Sequence, residues 1–204
     1  MQVRNVLRLT AVLLAALLIT GCASTHVGEG GKAAEGMAQV RAGLTKAQTD
    51  IDRVLTAMDN IGRGDLKASF NTYSIELSDL ETMALDARKR ARAMRDNSQQ
   101  YMVTWEREVQ EISDPNMKAS SEQRREAVRA HYDDVAKAAQ GVRDAYAPFV
   151  KTLQDIKKTL SLDLSPAALP AIEPAKANAH QEGETLNQRI NALIAELDKI
   201  QTAS

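Results

Sequence analysis

The stretch MAQVRAGLTKAQTDIDRVLTAMDNI, residues 37–61, places Met37, Val40, Leu44, Ala47, Ile51, Val54, Met58 and Ile61 at alternating spacings of three and four. That is an unbroken heptad seam, the pattern of a helix that buries one stripe against partner helices. The same pattern continues along the chain. From Leu66 it takes in Phe70, Tyr73, Leu77, Leu80, Ala84, Ala87, Ala91, Met94, Ser98, Tyr101, Trp105 and Ile112. From Val128 it takes in Tyr132, Val135, Ala139, Val142, Tyr146, Phe149, Leu153, Ile156 and Leu160, and from Ala179 Gly183, Leu186, Ile190, Leu193, Leu197 and Ile200. Aromatic residues are 3% of the chain, and the five prolines fall late, which together disfavour a sheet. The expected fold class is all-α, an elongated antiparallel helical bundle or coiled coil of about four long helices.

Punctuation between the seams sets the boundaries. Helices are expected over 33–61, 66–112, 120–160 and 174–201. Gly62-Arg63-Gly64 reads as a tight turn with Asp65 as the N-cap of the next helix. Ser113-Asp114-Pro115-Asn116 reads as a turn, with Ser120 and Gln123 at capping-box spacing behind it. Ser165-Pro166 has the character of an N-cap and N1 pair, and Pro170 and Pro174 are expected to make the last helix start irregularly. Pro148 lies inside the third seam and is expected to kink that helix around 144–148.

Short turns make consecutive helices antiparallel neighbours. Folding the second helix on the third sets Tyr101 near Tyr132, Ala91 near Val142, Ala87 near Tyr146 and Ala84 near Phe149. Folding the third on the fourth sets Ala179 near Phe149 and Gly183 near Tyr146. The first helix places Met37 near Ala91. Large residues of the third helix would then face small residues of both neighbours.

Before the bundle lies a different kind of sequence. Residues 1–21 carry Arg4 and Arg8, an apolar run from Val12 to Ile19, and Thr20-Gly21 before Cys22, the only cysteine. A basic start, an apolar core and small residues ahead of a cut are the parts of a secretory signal. The segment resembles a bacterial lipoprotein signal, which implies that Cys22 is the lipid-attachment site, diacylglycerylated on sulfur and acylated (a palmitate-type chain) on its new amine after cleavage. The alternative is an ordinary signal with a leftover thiol, a liability in an oxidising compartment. Two or more acyl chains suffice for stable anchoring. Ala23 and Ser24 follow, without the aspartate of an inner-membrane retention signal, so the expected location is the periplasmic face of the outer membrane. Residues 22–32, with Gly28-Glu29-Gly30-Gly31, read as a lipidated flexible tether, and 33–204 as one helical-bundle domain.

Removal of Arg4 and Arg8 with the signal takes the net charge from −1 to −3, and neither value points to nucleic acid. The one dense basic run is Asp86 to Arg95, with Arg88, Lys89, Arg90, Arg92 and Arg95. It reads as a solvated helix face, or as a contact with anionic headgroups or lipopolysaccharide phosphates. Tyr101 and Trp105 lie on the seam and read as core rather than as a partner anchor. His131, Asp133 and Asp134 are close in sequence but too few for a metal site, and His180 has only Glu182 beside it. No nucleophile elbow or phosphate loop occurs, Arg63-Gly64-Asp65 reads as turn plus cap, and Glu106, Glu108 and Glu111 read as a charged helix end. Neither cofactor nor metal nor catalytic residue is expected.

The residues Gly64-Asp65-Leu66 with Phe70-Asn71, Trp105-Glu106, Arg124 to Tyr132 and Tyr146-Ala147-Pro148-Phe149-Val150, with the Leu-rich heptads after them, carry a resemblance. The stretch from Gly64 to Ile200 resembles an uncharacterised family of bacterial coiled-coil lipoproteins with a helical domain of unknown function. The resemblance implies a coiled-coil lipoprotein and no substrate. The expected function is a non-enzymatic, membrane-anchored scaffold or interaction module of the cell envelope. It would be held by acylated Cys22, would have an envelope protein as partner, and would be open to self-association through its first helix. The alternative is a carrier of lipids or apolar ligands between its helices, which an apolar-lined pocket would favour.

Overall fold

The structure, a computed structural model, describes residues 26–203. The lipid-attachment site Cys22 and the signal at 1–21 lie outside the described residues. Four long helices follow one another: α1 (His26–Asp59), α2 (Leu66–Gln110), α3 (Pro115–Leu162) and α4 (Leu169–Ala203), with a single 3-10 turn (Pro166–Ala168) before α4. The longest, α3, has 48 residues and extends about 70 Å at 1.5 Å per residue. α1 packs mainly on α2 and α3 on α4, and the two hairpins close on each other through α2 against α3 and α1 against α4. The fold is therefore an all-α antiparallel bundle, as the heptads require.

The seam is wider than two positions per heptad. α1 buries Ala33, Asp50 and Ala57 besides its heptad residues. A stripe that broad faces two neighbours at once, which is what a helix at the corner of a four-helix bundle must do. One apolar cluster runs from Met37 to Ile200 and draws on all four helices, with Tyr73, Phe149, Leu153, Leu160, Ala179 and Leu197 among its least exposed members. Within it the Tyr73 hydroxyl donates to the backbone carbonyl of Leu153, 2.6 Å away, and so ties α2 to α3 through an otherwise dry layer. Burial pushes the Tyr73 phenol well above its ordinary range, reinforced by Glu81.

The ends follow local chemistry. Gly62 and Gly64 take φ of 89° and 87°, the left-handed region where a glycine costs nothing, and they turn the chain between α1 and α2. A side chain at Gly62 would also meet the Leu169 side chain of α4 at 2.7 Å. Asp65 then caps α2 by accepting from the Ala68 N–H at 3.0 Å.

Several boundaries differ from the sequence reading. α3 begins at Pro115 rather than near 120. Asp114 is its N-cap, accepting from the N–H groups of Asn116 and Met117, each at 2.9 Å, and Pro115 fills N1, where no donor is needed. Asp-Pro is thus a helix start here and not only a turn. Pro148 lies inside α3, as expected, while α4 already includes Pro170 and Pro174. α1 begins at His26, so residues 26–32, read as part of a tether, are helical. Gly30 lies against the Tyr101 ring, where a Cβ would be 3.5 Å from Cε2, and Ala33 is 2% exposed. Packing on α2 overrides a glycine-rich propensity that costs about 1 kcal/mol per glycine.

The α1–α4 edge carries polar bridges in antiparallel register: Arg41 to Asp198 at 2.7 Å, Gln48 to Asn191 at 3.0 Å, and His180 to Asp59 at 3.0 Å. His180, expected to have only Glu182 beside it, faces α1 instead, a pairing across 121 residues that helix spacing cannot display.

Asp50 is 3% exposed yet ionic, with Lys46 on one side at 2.7 Å and Arg53 on the other. Burial pushes its carboxyl up, but hydrogen bonds and charge from Lys46 and Arg53 outweigh that and hold it below the usual carboxylate range. The stabilisation from Asp50 is therefore fully present above the unfolded carboxylate value near pH 4. It is lost as the pH falls through the lower folded-state value. Asp50→Asn is expected to flatten the acid limb of a melting-temperature profile below about pH 4. An acid limb identical to that of the wild type would show that this network contributes nothing.

Candidate functional site

Among the described residues the feature with the most distinctive chemistry is the outer face of α2. Arg88, Lys89, Arg90, Arg92 and Arg95 are all exposed. Helical spacing spreads them across the surface, because successive residues turn by about 100° while Ala87, Ala91, Met94 and Ser98 occupy the inner side. Arg88 leans toward α3 with its guanidinium 5.8 Å from the centre of the Tyr146 ring, a cation–π arrangement. Burial pushes the Tyr146 phenol up to about 12, with Glu81 adding and Arg88 opposing. Lys89 reaches Asp86 at 3.2 Å and Arg95 reaches Asp96 at 3.5 Å. On the other flank Lys89 and Arg90 join Lys32, Glu35, Gln39 and Asn97 around a groove of about 360 Å³ between α1 and α2, floored by Gly36 and Met94. A Cβ at Gly36 would lie 3.5 Å from the Met94 Cα, so the two backbones approach closely there. This groove was not legible from the basic run alone, because Lys32 and Gln39 enter it from another helix.

A second groove, of about 390 Å³, lies between α2 and α3 and is lined by Leu77, Glu81, Gln154, Lys157, Lys158 and Ser161. Both grooves are open to the outside of the bundle.

The tip of the α2–α3 hairpin is the other candidate. Trp105 and Tyr101 are half-buried, with ring centres 5.5 Å apart, and Trp105 donates its indole N–H to Ser121 at 2.9 Å. Glu106 pairs with Arg125 across the hairpin. The aromatic pair is therefore built into the α2–α3 contact, while Val103 and Met117 beside it are exposed. His131, Asp133 and Asp134 form no such cluster: among the described residues no group of three or more His, Cys, Asp or Glu is arranged to hold a metal ion. No helix among the described residues is long and apolar enough to cross a membrane.

Comparison with known proteins adds one finding. No curated protein and no solved structure matches the chain. A family model described as a protein of unknown function, DUF2959, matches residues 31–203, nearly the whole of the bundle from the second turn of α1 to the end of α4. Since that match covers most of the chain, the chain belongs to the DUF2959 family.

Proposed function

We propose that this protein is a lipid-anchored, non-enzymatic helical spacer or scaffold on the periplasmic face of the outer membrane, held there by acylated Cys22. The observation that carries the scaffold part is the single apolar cluster from Met37 to Ile200, to which all four helices contribute along the length of the body. A rod closed in this way transmits position and presents its surface. A carrier needs an enclosed apolar cavity, and the two grooves are open clefts on the outside of the bundle. The anchor part rests on the signal pattern that ends at Cys22.

The test is metabolic labelling with an alkynyl fatty acid, envelope fractionation, and crosslinked pull-down of the wild type beside Cys22→Ser. Label and outer-membrane recovery are expected for the wild type only, with an envelope protein captured by the lipidated form. Wild-type protein without label and free of the membrane fraction would refute the anchor. Co-purification of stoichiometric lipid by the unacylated body, with no protein captured, would replace the scaffold by the carrier.

A further inference from the structure

The α2–α3 hairpin extends beyond the first described residue of α1. Gly36 packs on Met94, so in antiparallel register His26 is level with residue 104. α2 continues to Gln110, about 9 Å further at 1.5 Å per residue, before the chain turns into α3. The hairpin tip thus projects past His26. Cys22 is four residues before His26, and four residues span about 14 Å at most when fully extended.

An anchor at Cys22 leaves almost no room for this rod to stand upright. Even with the link stretched straight, the tip would clear the bilayer by only about 5 Å. The tip also carries the wrong charge: between residues 106 and 118, four acidic residues stand against two basic ones, net −2. The outer face of α2 has the opposite character. Between residues 86 and 96, five basic residues stand against Asp86 and Asp96, net +3, on a mature chain of net −3. Leu85 and Val103, 56% and 63% exposed, lie on the same outer stripe as Arg92 and Gln99, Leu85 just before the basic run and Val103 eight residues after Arg95, about 27 Å apart. A cationic stripe ended by exposed apolar residues suits the interface of an anionic bilayer.

Resting on the Cys22 anchor proposed above, we infer that the bundle lies along its own membrane with the outer face of α2 down, its basic residues contacting anionic lipid headgroups. The anchor holds the rod close, and the charge asymmetry decides which side turns down.

Two measurements test this. In the first, the mature chain carrying Cys22→Ser, which keeps every core residue, is mixed with vesicles of phosphatidylcholine alone or with phosphatidylglycerol added. At about fivefold per basic charge, a net of three favours the anionic vesicles by about a hundredfold, an advantage that added salt should erase. Replacing Arg88, Lys89, Arg90, Arg92 and Arg95 by Gln should abolish it while leaving the melting curve in place, since all five are exposed. Equal binding to both vesicles, or an unaffected variant, overturns the proposal. Binding of heparin without any binding to anionic vesicles also overturns it and assigns the face to a soluble polyanion. In the second, the lipidated chain is placed on a supported bilayer containing phosphatidylglycerol, and the protein layer is measured by neutron reflectometry. A lying bundle is two helices thick, about 20–25 Å, whereas a standing one approaches 70 Å. A thin wild-type layer that thickens in the five-Gln variant is the expected result. A thick wild-type layer on a labelled Cys22 overturns the posture alone, whereas an unlabelled Cys22 removes the anchor and the posture with it.

Discussion

Phe149→Ala is expected to destabilise the bundle by about 3–5 kcal/mol, the largest effect of any single truncation considered. Phe149 has no exposed surface. Its ring lies in the C-terminal third of α3, and Cε2 would be 3.3 Å from a Cβ at Gly183. The space left by the ring cannot be refilled from α4, because Gly183 opposite it is already small and fixed on a helix. For a chain of this size about 1 kcal/mol moves the midpoint by about 2–4 °C, so a fall of roughly 10 °C is expected in a thermal melt followed by circular dichroism. Leu162→Ala is the control: Leu162 is 82% exposed and its loss should be neutral within about 0.5 kcal/mol. Equal midpoints for the two variants would mean that this layer is not packed as described.

The heptads made the fold legible because the signal was long and periodic. Each helix repeats its apolar spacing over several turns, and Gly62, Gly64 and Asp65 mark a turn whose chemistry is local. What escaped the sequence was mostly decided between helices. Gly28-Glu29-Gly30-Gly31 has the composition of a linker, and only the contact with Tyr101 on another helix keeps its start helical. His180 finds Asp59, and Lys32 meets Arg90 across a groove, through a tertiary register that no short window contains. Asp50 looks like an ordinary exposed acid beside Ile51. Lys46 and Arg53, four residues before and three after, are spaced to neutralise it once the wider stripe of α1 is buried. Within the candidate surface, the five basic residues were readable as a run. Their exposure and the cation–π contact of Arg88 required the bundle.

The packing between α3 and α4 gives the sharpest quantitative test, because the structure names the side chains that meet Gly183. Spacing alone sets Gly183 opposite Tyr146 and Ala179 opposite Phe149. In the structure Gly183 lies against Phe149 and also against α1, where its Cβ would meet Leu55 Cδ1 at 3.0 Å and Ile51 Cγ2 at 3.7 Å. The glycine is thus the point where three helices converge, a constraint that a two-helix alignment omits. Gly183→Leu adds four carbons to a site that is already tight for one. It is expected to cost about 1–3 kcal/mol through overpacking, with the gain in helix propensity over glycine, somewhat under 1 kcal/mol, offsetting only part of it. The double variant Phe149→Ala/Gly183→Leu moves the bulk from α3 to α4 within one layer. Residues in direct contact commonly couple by about 0.5–3 kcal/mol, so the double variant should be more stable than the sum of the two single losses by an amount in that range. The pair Tyr146→Ala/Gly183→Leu should instead be additive within about 0.5 kcal/mol if Gly183 faces Phe149. Coupling to Tyr146 and none to Phe149 would restore the register inferred from spacing and shift α4 by one turn along α3. Urea unfolding of the three single and two double variants decides between the two, since neighbouring turns differ in partner while keeping the same faces buried.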